Sequence, residues 1–111
     1  SAETSRAETA RMLFVFMYRA GPEYRPGRPL AEQGLAPHGA SIKSPLEAGR
    51  LFAAGPYAGA DGGVAFVWAE NVEEAQAILA ADPAIRDRIF EAEIRAWIPR
   101  FSSGEALAAA P

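Results

Sequence analysis

The chain has 111 residues, half of them apolar, with a net charge of −3 at pH 7, one histidine and no cysteine. That length supports one modest core and therefore one domain, and the missing cysteines exclude disulfides and thiolate chemistry. Its 11 basic residues are scattered rather than gathered in the stripe that nucleic acid demands, and no apolar run approaches the roughly 20 residues of a membrane span.

Residues 1–11 are polar and lack a starting methionine, as a tag or the remnant of a processed leader would be. A cytoplasmic location is expected, or a periplasmic or secreted one if Ser1 follows a removed leader. The domain is expected over residues 12–101. Its first element, Arg11 to Arg19, is apolar at both parities between its charged ends, the pattern of a strand covered on both faces. Gly21-Pro22 closes that strand, and Pro26-Gly27-Arg28-Pro29 marks a loop.

A helical stretch follows from about Leu30 to Ala48, in two pieces. Leu35, His38, Ile42 and Leu46 make its apolar stripe, and Gly49 stops it. Gly39 and Pro45 weaken it, since Pro45 has no N–H to give to Ser41. Leu51 to Tyr57 reads as a second strand, with Pro56 at a sheet edge. Gly59-Ala60-Asp61-Gly62-Gly63 makes a hairpin turn, and Val64 to Ala69 is the returning strand.

Asn71, with Glu74 three residues on, starts a second helix whose buried stripe is Val72, Ala75, Ile78 and Leu79. Asp82-Pro83 has the form of a further N-cap followed by a proline in the first turn. Ile89 to Ile98 is the last strand, with Phe90, Ala92, Ile94, Ala96 and Ile98 on one face and Glu91, Glu93, Arg95 and Trp97 on the other. Residues 102–111 are alanine-rich and unpatterned, as a loose tail would be.

The order βαββαβ predicts an α+β, ferredoxin-like fold: a four-stranded antiparallel sheet with both helices on one face. Strands one and three are apolar on their second face too, which predicts a homodimer joined through its sheet faces, a dimeric α+β barrel. The alternative is that a tail or the long first loop covers that face.

Pro37-His38, Gly49-Arg50-Leu51, Gly55-Pro56 and Ala81-Asp82-Pro83, in this order and on these elements, resemble the YCII-related family. The resemblance covers about Met12 to Phe101 and implies the same dimeric barrel. It also implies an active-site pair, His38 and Asp82. A carboxylate on one imidazole nitrogen fixes the tautomer and makes the other nitrogen more basic, which suits proton transfer to or from a small cyclic or aromatic compound. Against this, Asp82 has a sufficient role as a helix cap, and His38 has one in bonding a carbonyl freed near Pro37. Gly39 and Pro45 depart from the family pattern and loosen the helix that aims the imidazole.

Arg50, Tyr57, Trp68 and Arg95 are secondary candidates for contacting a ligand. Arg50 would hold an anionic group or cap the first helix, and Tyr57 and Trp68 would border a pocket or belong to the core. Arg95, with Glu91 and Glu93, would line a cavity inside a dimer or form a solvated face. Two functions remain open from sequence: a cofactor-independent acid/base enzyme, or a non-catalytic homodimeric module that binds a small ligand.

Overall fold

The computed structural model describes residues 11–103, so the N-terminal extension up to residue 10 and the tail from residue 104 lie outside the described residues. Four strands, β1 (Met12–Ala20), β2 (Leu51–Pro56), β3 (Gly63–Ala69) and β4 (Phe90–Trp97), form one sheet in the order β2-β3-β1-β4. Every neighbouring pair is antiparallel, with Phe14 opposite Val67 and Tyr18 opposite Ala92. Three α-helices connect them: α1 (Ala36–Glu47), α2 (Val72–Ala80) and the single turn α3 (Pro83–Arg86). This is the ferredoxin-like α+β arrangement, as the element order predicts.

Strand parity decides where the core sits. Phe14, Phe16 and Tyr18 alternate on one face of β1 and join Ala65, Val67 and Ala69 of β3 under the helices, all of them buried. Val15 and Met17 lie on the opposite face with Phe66, and Phe66 stacks obliquely on Trp97 at 5.3 Å and edge-on with Phe52. That second face is partly exposed and largely apolar, bordered along β4 by the ion pairs Arg19–Glu91 and Arg95–Glu93.

The helices are built unequally. Asn71 caps α2 by accepting a hydrogen bond from the Glu74 N–H at 2.8 Å, and Ala75 is fully buried. Val72, expected in the buried stripe, is exposed because it starts the first turn, beside the cap. α1 has no side-chain cap and no buried residue. It nevertheless runs unbroken through Gly39 and Pro45 to Glu47, and Gly49, just past the Ala48 cap, accommodates the stop with a φ of +76°. The expected loosening does not interrupt it, because Pro45 lies in the last turn, where one missing hydrogen bond ends little. Leu46, placed in its apolar stripe by spacing, is half exposed on that same turn.

The segment between β1 and α1 is pinned from within. Gln33 is buried and its amide bonds Arg25 in both directions at 2.7 Å, besides the Arg28 carbonyl at 3.0 Å. The Tyr24 hydroxyl donates to Asp61 Oδ1 at 2.8 Å, tying this segment to the β2–β3 hairpin.

Candidate active site

The site lies where α1 crosses the sheet without packing tightly on it. Pro37 stands in the first turn of α1, and the next residue, His38, points its ring down toward the sheet. Asp82, between α2 and α3, is the N-cap of α3, with Oδ1 accepting from the Ala84 N–H at 2.9 Å. The two meet: His38 Nδ1 is 2.8 Å from both carboxylate oxygens of Asp82. Their side chains are 17% and 8% exposed, so the contact is shielded from water competition.

A third group completes the contact. The Tyr18 hydroxyl, on the helix-facing side of β1, donates to Asp82 Oδ2 at 3.3 Å. Burial, then the negative field of Asp82 and the hydrogen bond to it, push the Tyr18 pKa far above the ordinary phenol value, so its proton stays in place. The rings of Tyr18 and Phe90 stand roughly perpendicular to the imidazole at 5.8 and 6.1 Å and hold its plane. Tyr18 reads in the sequence only as a strand residue. Its signal is that it adds the one polar side-chain atom to a parity otherwise made of Met12, Phe14, Phe16 and Ala20.

An ionised carboxylate only accepts hydrogen bonds, so Nδ1 carries the proton in this contact and the neutral ring keeps its lone pair on Nε2. Nε2 makes no hydrogen bond to another described residue, nor is it among the buried unpaired atoms. It is therefore the nitrogen left for a ligand.

Two cavities adjoin the trio, sharing Tyr18, Ile42 and Ala65 as a common wall. One, of about 220 Å³, is lined by His38, Leu35, Phe90 and the Gly55-Pro56 and Gly62-Gly63 backbone. The other, of about 240 Å³, is lined by Asp82, Ser41 and Arg50 with apolar side chains of α1, α2 and the sheet. Gly62 has a φ of +97°, and a Cβ there would collide with the Tyr18 carbonyl, so this rim closes on β1 only because the residue is glycine.

Of the secondary candidates, the structure brings only Arg50 to a cavity wall. Its guanidinium also pairs with Glu74 at 3.3 Å. Trp68 is buried on the opposite side of the sheet beneath Arg11, because even-numbered positions of β3 face away from the helices. Arg95 shares that far side with Glu93, and Tyr57 stands in the hairpin, lining neither cavity. No group of three His, Asp or Glu side chains among the described residues is placed to hold a metal ion. None of the described helices is long and apolar enough to cross a membrane.

Residues 12–98 match the family of the YCII-related domain. The chain belongs to the YCII-related family. Among solved structures it is similar to the 5-chloro-2-hydroxyhydroquinone dehydrochlorinase TftG from Burkholderia phenoliruptrix AC1100, solved in complex with 2,5-dihydroxybenzoquinone. That likeness has 26% sequence identity and a TM-score of 0.59 over 85% of this chain and 97% of the other. Comparison with curated proteins gives no match. The YCII-related match spans all four strands and both members of the His38–Asp82 contact.

Proposed function

We propose that this protein is a small enzyme that works without a cofactor and moves protons on a small cyclic or aromatic compound. In this reading His38 Nε2 takes or gives the proton, and Asp82 fixes the ring through Nδ1. The observation that carries it is the 2.8 Å clamp of a lone histidine onto a buried carboxylate, with the same ring lining an apolar cavity. The cavity's 220 Å³ suits one substituted ring, since an apolar cavity of about 150 Å³ accepts benzene. Asp82 has no Arg or Lys partner among the described ion pairs, so a proton gained by His38 would find a buried counter-charge waiting.

The dehydrochlorinase neighbour supplies the first compounds to try: chlorinated hydroxyhydroquinones. Loss of HCl from such a ring needs no redox partner. A hydroxyl proton first moves to the chlorine-bearing ring carbon, giving a keto tautomer. A base then removes a second hydroxyl proton, its pair becomes a carbonyl, a ring pair shifts to that carbon and chloride departs with the carbon–chlorine pair, leaving a hydroxyquinone. Arg50 would meet a polar substituent reaching into the neighbouring cavity.

His38→Ala is the test. Turnover should fall by at least about 100-fold, the usual contribution of a positioned acid/base group, while the melting temperature stays near that of the parent. A structural histidine predicts the reverse: stability lower by about 1–3 kcal/mol and any ligand affinity unchanged. That result would favour the binding-module reading, for which Asp82's second duty as the cap of α3 is the supporting observation.

We also infer that two copies pair through the open sheet faces. Val15, Met17, Phe52, Phe66 and Trp97 form a continuous apolar surface of the kind that marks an interface. Light scattering at micromolar concentration should return twice the chain mass, and a monomer there would overturn this assembly.

A further inference from the structure

We propose that Tyr18 is a positioning residue of the His38–Asp82 unit, its neutral hydroxyl holding the Asp82 carboxylate in place and tempering its pull on the imidazole. This rests on the reading of His38 and Asp82 as the acid/base pair and adds a member that family resemblance did not supply.

The geometry leaves Asp82 three donors: the Ala84 N–H at 2.9 Å, His38 Nδ1 at 2.8 Å and the Tyr18 hydroxyl at 3.3 Å. None is a permanent cation. In such a site each neutral donor disperses part of the carboxylate's charge, and the remainder is what the imidazole feels. Tyr18 is the one of the three that also touches the histidine, with its ring edge-on at 5.8 Å, and the one that lines both cavities. Its hydroxyl keeps its proton, so it acts as a fixed donor rather than as an acid consumed in a reaction. The charged groups facing this cluster are few. Asp82 comes from the start of α3, and Arg50, at the head of β2, lines the neighbouring cavity with its guanidinium engaged by Glu74. No second acid or base from α1 or β4 lines either cavity.

Because His38 is the only histidine, its ring gives a single, unambiguous NMR signal in the full chain. In Tyr18→Phe the carboxylate loses a donor and holds the imidazolium more strongly. The His38 ring resonances should therefore titrate about half a pH unit higher than in the parent, a roughly threefold gain in proton affinity. A mutation-free measurement accompanies it. With tyrosine labelled at Cζ, the Tyr18 signal of the unaltered protein should shift with the same midpoint as His38, since protonating the imidazole changes the carboxylate that Tyr18 donates to. A His38 titration unmoved in Tyr18→Phe, or a Tyr18 Cζ signal flat across the His38 midpoint, overturns the assignment. Neither readout requires a substrate. Full turnover in His38→Ala would sink the enzyme reading and leave this coupling standing, whereas flat titrations with a dead His38→Ala would sink the coupling alone.

Discussion

The two long helices cover the same sheet face by different means. α2 is capped by Asn71 and packs so closely at Ala75 that this residue has no exposed surface, and only Ile78, one turn on, reaches a cavity. α1 buries no residue completely and contains Gly39 and Pro45, and its Ile42 borders both cavities. α1 meets the core through partly buried Leu35 and Ile42 and adds one polar contact, His38 on Asp82, where α2 buries Ala75 completely. A ligand site needs unfilled space beside fixed polar groups, and a helix with only partly buried side chains and one fixed polar contact supplies both. The more closely packed half of the helical layer and the half that carries the candidate site are thus separate pieces of chain.

The sharpest way to break this comparison is to cut the tie. Asp82→Ala removes the cap of α3 and strands the His38 and Tyr18 donors, and it should cost about 3 kcal/mol. Asn71→Ala, which removes only a cap, should cost about 1 kcal/mol. Hydrogen exchange should rise throughout α1 in the first variant and remain near parental in α2. Equal losses in the two variants, measured by urea unfolding, would mean that Asp82 is nothing more than a helix cap.

Packing gives the next largest effect. Ala75→Leu forces three further carbons into a space that has none and should destabilise by about 2 kcal/mol. Ile42→Phe enlarges a half-buried side chain that already faces both cavities, so its cost should stay within about 0.5 kcal/mol. Thermal unfolding of the two variants side by side measures the contrast directly. If Ile42→Phe cost as much as Ala75→Leu, α1 would be as closely packed as α2.

How far the sequence discloses this arrangement depends on what each element needs. Alternation in β1 and β4 separates two faces, and both caps, Asn71 and Asp82, stand in their expected places. Alternation does not reveal which face carries the helices when both are apolar. That is why Trp68 and Arg95 are plausible pocket residues in the sequence yet lie beyond the sheet in the fold. The His38–Asp82 contact joins residues 44 positions apart, and only the family resemblance brings them together beforehand. Nothing comparable points to Tyr18, 64 positions from the oxygen it meets, or to Gln33, which looks like an ordinary loop glutamine until its three backbone partners are seen. Pairings of that kind are made by tertiary folding and leave no local periodicity.

The smallest effect tests whether α1 is loose by its own chemistry or by the demands of the site. Gly39 is in the helix interior, its φ is not positive, and a Cβ added there meets nothing within 4 Å. Glycine at such a position costs helix stability because the unfolded chain loses more freedom than alanine would. Gly39→Ala should therefore raise stability by about 0.5–1 kcal/mol, read as a higher urea midpoint with an unchanged slope. If the gain leaves the His38 titration where it was, α1 carries spare instability unrelated to aiming the imidazole. If the gain is accompanied by slower turnover or weaker ligand binding, glycine beside the histidine serves the motion of the ring, and the looseness of α1 belongs to its function.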